Sequence, residues 1–459
     1  MSVLPDDRRF DDAVPLTGWR QTFSSLSGNR DFTFLFAGNV GFFFGMQMMM
    51  ILSGWLVIDE WDNPAYLGYL MATAAIPMLV LAPIGGVVSD RVDKRKLLLA
   101  TQCLLVVTSS AVTVLILTGA IESWHLAVIT PVSGAAFSFN MPGRQALVAI
   151  LVPRDRLMNA ISLSTAAMNA SRIIAPPLAG LLVAPIGIGG AYVVAVAFYA
   201  SSAATTAFLP PSRPRRLREF TFFEDFTGGF RYIRTSPLLM GLLLFATVPM
   251  IFAMPHQTLL PVFADEVWKV GSVGFGVMQA SSGAGGLLGA FFVANLDSYR
   301  RKGTLMVGAA LAYGALMFVF AVSPWFSLAL GLMGLLGFVS MTFMTVNNTA
   351  IQMVIPDEVR GRVMSVMMMT FGLMPLGAVP AGIAAQSLGA PPVVAAGAVL
   401  FIASTLVIFA AVPSFRSLDR GMEEGRDRET SRRAAPPSGE RASPVPAAAP
   451  HAHGGRTPD

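Results

Sequence analysis

Arg172 is the residue whose placement most calls for chemistry. It stands about fifteen residues into a long apolar run, roughly 22 Å along a helix rising 1.5 Å per residue. A cation that deep in hydrocarbon costs at least a few kcal/mol and marks a functional site by default. With Asn169 one turn earlier, it either presents donors to an anionic or carbonyl-rich ligand or bonds carbonyls of a neighbouring helix. Asn39 and Gln47 share one helical stripe, Asn347, Asn348 and Gln352 share another, and Gln279 stands in a third apolar run. Each lines a ligand cavity or makes an interhelical hydrogen bond, so Arg172, Asn169, Asn39, Gln47, Gln279, Asn347 and Gln352 form the candidate substrate-binding set. His256 is the only histidine well inside an apolar run, and histidine is the side chain whose free pKa lies nearest neutrality. It is a candidate for proton coupling, with plain packing as the alternative. Clusters at Met46, Met48, Met49, Met50 and at Met364, Met367, Met368, Met369 suit either an adaptable pocket or a core.

What is missing narrows the chemistry. No Asp or Glu falls inside any apolar run, there is no G-x-x-x-x-G-K-[ST] phosphate loop, and no metal-binding cluster or nucleophile–base set is visible. The expectation is a protein without metal or cofactor that is not an enzyme. The single cysteine, Cys103, lies in an apolar run and reads as a small buried hydrophobe.

The elements that must carry these residues are membrane helices. The 459 residues are 54% hydrophobic and only 13% charged, against about 25% charged in soluble proteins. Twelve stretches reach the roughly 20 residues a span requires: 33–58, 65–89, 97–119, 124–150, 157–184, 187–209, 238–263, 271–295, 304–323, 325–352, 362–388 and 391–413. Barrel strands, about ten residues of alternating polarity, do not fit. Val152-Pro153…Ser162 recurs as Ile355-Pro356…Ser365, Gly86 as Gly289 and Pro177 as Pro380, all at a shift of 203 residues. The expected fold is all-α, with two six-helix repeats around a shared site. The parts are an N-terminal segment 1–30, a bundle 31–209, a linker 210–237, a bundle 238–413 and a tail 414–459.

Charge orients the array. Gaps holding Arg91, Lys94, Arg95 and Lys96, then Arg154 and Arg156, then Arg213 to Arg234, then Arg300 to Lys302, then Arg360 and Arg362 alternate with gaps almost bare of cations. The positive-inside rule puts the basic gaps and both termini in the cytoplasm. The net charge of +5 is then accounted for by headgroup contact, so the partners are membrane lipids and a small-molecule substrate, not nucleic acid. Residues 1–30 lack an apolar core of a signal peptide. The linker's Phe220, Phe222, Phe223, Phe226 and Phe230 suit an amphipathic helix on the lipid surface or one packed on the bundle. The tail, poor in large apolar residues, reads as disordered. Abundant Arg, Ala, Gly and Pro suggest a GC-rich bacterium, and hence its inner membrane.

The gap after the second span reads Gly85-Gly86-Val87-Val88-Ser89-Asp90-Arg91-Val92-Asp93-Lys94-Arg95-Lys96. Gly86 and Asp90 share a helix face, and Asp90 at the membrane edge can meet a helix N-terminus or an arginine. This segment resembles motif A of the major facilitator superfamily. Asn140-Met141-Pro142-Gly143-Arg144 and Asn169-Ala170-Ser171-Arg172 are similar to its enterobactin-exporter and macrolide-efflux branch. The resemblance implies a latch made by Gly86, Asp90, Arg91, Lys94 and Arg95 against the start of helix eleven near Arg362. Arg144, nearer the end of its span, either joins that latch or snorkels. The resemblance further implies an exporter of drugs, macrolides or siderophores. A monomeric secondary transporter is expected, with a proton as the candidate coupling ion, although the first-span carboxylate often used by proton-driven exporters of the superfamily is absent here. An importer on the same fold and a transporter-like sensor or lipid-handling protein are the alternatives.

Overall fold

The computed structural model describes residues 29–153, 156–212, 231–295, 302–355, 363, 366–367 and 370–411. The linker at 213–230, the tail and the N-terminal segment to residue 28 lie outside the described residues, as does the start of the eleventh span at 356–362. The helices are α1 (Arg30–Trp61), α2 (Pro64–Arg91), α3 (Lys94–Leu117), α4 (Ser123–Leu151), α5 (Leu157–Ala207), α6 (Pro237–Val248), α7 (Gly271–Ala294), α8 (Lys302–Ala321), α9 (Phe326–Val354), α10 (Met374–Leu388) and α11 (Ala390–Ala411).

Nine helical stretches among the described residues are long and apolar enough to cross a membrane. The 49-residue stretch Asn159–Ala207 is two spans, because Gly187 breaks α5 with φ 70° and ψ 171°. Only glycine adopts that backbone freely, so a full reversal happens without a polar loop. α4 carries Pro131 and Pro142 and falls outside the nine, as does α10 with the helical residues before it. With these the spans number twelve, as the hydropathy predicts.

Local signals set the ends. Asn29, Asn63, Asp93 and Ser236 each cap a helix by accepting from a backbone N–H, and Pro64 and Pro237 occupy first helical positions. α6 continues through π turns at Pro249–Ala253 and Phe263–Val267 to complete the seventh span. Pro249, Pro255 and Pro261 lack the N–H that an unbroken α-helix needs. Successive helices run antiparallel. One end of the bundle therefore gathers Asp59, Glu60, Asp62, Glu122, Asp265 and Glu266, and the other Arg30, Arg91, Lys94, Arg95 and Arg156.

Lipid tails are as apolar as leucine, so the helices associate through close packing. α2 pairs with α4, and α7 with α9, on small residues. A methyl at Gly134 would overlap the Ala74 carbonyl, and one at Gly337 would overlap that of Ser282. Those two glycines are also separated by 203 residues. α2 meets α10, and α5 meets α7, across the boundary between the repeats. A Cβ on Gly68 would lie 2.5 Å from the Ala378 oxygen, and one on Gly180 2.7 Å from that of Ser272, both toward the acidic end. Val107, Leu288, Trp325 and Val407 face outward, as a lipid-exposed surface requires. Cys103 corrects the expectation of burial, because its thiol is exposed on the outer face of α3.

Candidate functional site

A cavity of about 330 Å³ opens between α1, α2, α3, α4, the second rod of α5, the seventh span and α7, in the acidic half of the bundle. Its apolar wall includes Phe42, Met46, Met49, Met50, Phe137 and Phe275. Ser53, Ser109, Thr130, Tyr192, Gln257 and Gln279 supply scattered polar groups. Among the described residues, no charged side chain lines it. The Ser53 Oγ and Tyr192 Oη stand 3.0 Å apart, and Trp55 stacks on Phe275 at 6.1 Å, joining α1 to α7 behind the wall. Flexible thioethers and aromatic faces beside a few hydroxyls suit an amphiphile better than an ion.

One helical turn toward the basic end lies a buried polar layer. Arg144 is 3% exposed. Its Nη1 donates to Asn39 Oδ1 and its Nε to Asn140 Oδ1 at 3.2 Å, while Nη2 is buried without a partner. The Asn140 amide donates to Thr101 Oγ1 at 2.9 Å, and that of Asn39 to Ser164 Oγ at 3.4 Å. The guanidinium carbon sits 4.3 Å from the Phe42 ring centroid, a cation–π geometry. Gln102 donates to Ser202 Oγ at 3.0 Å, and Ser202 to the Gly38 carbonyl at 2.7 Å, closing α3, α5 and α1 together. Arg144 therefore points into the bundle, not out to the membrane edge where snorkelling would take it.

The other expected site residues are dispersed. Gln279 alone of the binding set lines the main cavity. Asn39 belongs to the Arg144 layer. Arg172 is exposed, and Asn169 and Gln47 are half-buried outside the cavity wall. Asn347 is buried with its Oδ1 unpartnered, beside a second cavity of about 40 Å³ that Asn348 and Met367 also line. Gln352 is exposed. His256 donates from Nδ1 to the Ala253 carbonyl at 2.6 Å and packs edge-on against Tyr313 and Phe320, behind its cavity-lining neighbours Gln257 and Thr258. Met46, Met49 and Met50 reach the cavity, whereas Met48 is core; Met364, Met368 and Met369 lie outside the described residues. Serines, threonines and tyrosines of the wall escaped notice because single hydroxyls in apolar runs carry no spacing signal.

The latch expectation is reached only in part. Gly86 and Asp90 occupy the last turns of α2, and their side chains lie outside the described residues. A close approach falls on Gly85, where a methyl would overlap the Ser138 carbonyl. Arg91 is exposed. What the loop does hold is the end of the sixth span. Asp93 Oδ1 accepts from the Ser212 N–H at 3.2 Å and Oγ at 3.1 Å and from the Arg95 N–H at 2.9 Å. Lys94 donates its backbone N–H to Ser212 Oγ at 2.7 Å, and Arg95 Nη2 donates to the Ala207 carbonyl at 2.5 Å. Partial burial pushes the Asp93 carboxyl up, and the hydrogen bonds from Ser212, Arg95 and Lys96 outweigh it, holding the group below its ordinary range. A lowered folded-state value stabilises above the unfolded value of about 3.9 and loses that contribution as pH falls through the folded one. Asp93→Asn and Ser212→Ala are each expected to lower the melting temperature by about 1–3 °C at neutral pH. For Asp93→Asn, the gap to the parent should close in acid; a gap unchanged below pH ~4 would refute the clamp.

Residues 21–432 match the model of the transmembrane secretion effector family. The chain belongs to that family of major facilitator transporters. It is 26% identical over 356 residues to the multidrug efflux pump Tap of Mycolicibacterium fortuitum, spanning 75% of this chain and 87% of that one. Macrolide efflux protein A of Streptococcus pyogenes is 23% identical over 324 residues, covering 68% and 79%. The enterobactin exporter EntS of Shigella flexneri is 26% identical over 290 residues, covering 62% and 68%. Among solved structures, the nucleoside transporter NupG superposes with a TM-score of 0.64 at 14% identity, over 83% of this chain and 98% of that one. An inward-facing bacterial homologue of the lysosomal transporter Spinster gives 0.64 at 12% identity, over 87% and 98%. These likenesses carry the fold, and the transmembrane secretion effector is a multi-pass membrane protein.

Proposed function

We propose that this transporter exports small amphiphilic molecules of the drug, macrolide or siderophore type across a bacterial cytoplasmic membrane. It works by alternating access, with the basic end and both termini in the cytoplasm. The observation that carries this reading is the uncharged cavity of about 330 Å³, walled by helices of both repeats. Ligand pockets of about 300–1,000 Å³ lined by apolar groups with few polar ones are typical of small-molecule sites. Export as the direction follows from relatives named for efflux. A monomer suffices, since cavity and repeats lie within one chain. With carboxylates only at the ends of the described spans, a coupling proton would be carried by His256 or by edge groups such as Asp59 and Glu266. Gly86, Asp90, Arg91, Lys94 and Arg95 serve as the gate's latch.

Cells expressing the chain are expected to accumulate less dye, macrolide or catecholate siderophore than control cells, with a protonophore restoring accumulation. Higher accumulation would reverse the direction, and no difference across the panel would remove the substrate class. Arg172 stands outside the cavity wall. If it meets ligand on the way in or out, Arg172→Lys should change the order of preference among these compounds by a few-fold, because lysine keeps the charge and loses the planar fork. Unchanged selectivity with poor folding would assign Arg172 to structure alone.

A further inference from the structure

The polar layer under the cavity is short of one negative charge. An arginine does not shed its proton inside a protein, and Arg144 is buried with only neutral acceptors, the amide oxygens of Asn39 and Asn140. No ion pair to it exists among the described residues, and no Asp or Glu stands within the membrane part of any described helix to supply one. A charge removed from water and left unpaired is strongly unfavourable. The Phe42 face offsets part of that cost. One donor, Nη2, remains buried and unused.

Two hydrophobic layers bracket this charge. Leu35, Leu98 and Leu147, each about one turn toward the basic end, close it off on that side. Toward the acidic end stand Phe42, Leu105 and Tyr199, all three of which line the cavity. Phe42 is thus a shared wall, with the guanidinium against its ring and the ligand space beyond it. Displacement of that ring, together with the Phe43, Phe137 and Tyr199 rings packed on it, would connect the two. Among the described residues no charged side chain lines the cavity itself, so Arg144 is the fixed cation nearest its wall there.

We infer that Arg144 is the receptor for the acidic group of an anionic amphiphile, a carboxylate, sulfonate or phosphate, whose apolar body occupies the cavity beyond Phe42. The planar fork matches such groups bidentately, and the low-polarity surroundings make the pairing selective. The inference rests on the cavity being the cargo site, as proposed above. It makes cargo charge, not only shape, a determinant of binding.

The test uses two probes with one skeleton, 1-anilinonaphthalene-8-sulfonate and the uncharged N-phenyl-1-naphthylamine. Binding to the purified full-length chain is read by energy transfer from tryptophan, Trp55 lying 6.1 Å from the cavity residue Phe275. In low-salt Tris buffer without added carboxylate, sulfonate or phosphate, the sulfonate probe should bind about tenfold more tightly than the neutral probe. R144Q should erase that preference while leaving the neutral probe's affinity unchanged. R144K, which retains the charge, serves if R144Q does not fold, and should cut the preference to about two- to threefold. A tenfold sulfonate preference that survives undiminished in either folded variant overturns the inference, as does its absence in the parent. Added chloride should leave sulfonate binding intact. If chloride displaces the sulfonate and tightens the neutral probe, the charge is balanced by a small inorganic anion and the inference falls. Protonophore-sensitive efflux of the neutral probe without an Arg144-dependent preference would spare the exporter reading and reject this one. Arg144-dependent binding without efflux would do the reverse.

Discussion

Gly285→Leu is expected to leave almost no folded transporter. A methyl on Gly285 would overlap the Gly334 carbonyl, and the same ladder repeats where Gly337 faces the Ser282 carbonyl. α7 and α9 touch backbone to backbone there, so no side chain can swing aside to make room. Overpacking by even a few methylenes in a well-packed core costs about 1–3 kcal/mol, and a leucine against backbone exceeds that range. Once parted, the helices have no hydrophobic drive to close again in lipid. The melting temperature in detergent should fall by more than about 5 °C, and most of the protein should elute as aggregate. Gly308→Leu and Gly331→Leu are the controls, since nothing lies within 4 Å of a Cβ at either position. Those two should melt like the parent or slightly above it, given leucine's better helix propensity. An equal loss at all three positions would show that the close approach is not what matters.

Gly180→Leu should separate folding from the transport cycle. A Cβ at Gly180 would lie 2.7 Å from the Ser272 oxygen and 2.8 Å from the Gly276 Cα. This contact joins the two repeats at the acidic end, whereas the Gly285 contact lies inside one repeat. The variant should therefore fold, with its acidic end unable to close. A bias of about 1.4 kcal/mol shifts an open–closed equilibrium tenfold, so export should fall by about tenfold or more. A Thr130→Cys reporter in the cavity wall, in a Cys103→Ser background, should react faster with a membrane-impermeant reagent in Gly180→Leu than in its parent. Normal export by a folded Gly180→Leu protein would mean that closure at this seam is dispensable.

Fold and site were unequally legible in the sequence. Apolar runs and alternating basic gaps point to twelve spans, even where Gly187 turns the chain without a polar loop. The 203-residue shift found at Gly86, Ser162 and Pro177 recurs in space at Gly134 and Gly337, two glycines that hydropathy does not single out. The cavity was legible only at Gln279 and the methionines, because its wall is shared among seven helices and helix rotation is not written in composition. Cys103 was misjudged for the same reason: in lipid, the face turned outward is as apolar as the face turned inward. The Asn140–Arg144 pair, four residues apart, could have been read as a one-turn hydrogen bond. The meeting with Asn39, 105 residues away, could not. Asp93 was passed over inside a motif whose resemblance drew attention to Asp90, and its bonds to Ser212 depend on where the sixth span ends.

The two sides of the cavity differ mechanically. α1 runs 32 residues from Arg30 to Trp61 without a proline, braced along its length by the second rod of α5. The neighbouring part of the wall, bearing Gln257, Thr258 and Pro261, belongs to a span interrupted by two π turns and three internal prolines. One side acts as a beam and the other as a chain of short links. Cargo of different girth would then be accommodated by bending on one side alone, with every ligand keeping its register against α1. A shared rigid edge beside a yielding one lets a pump be broad in what it accepts without being loose in how it holds it.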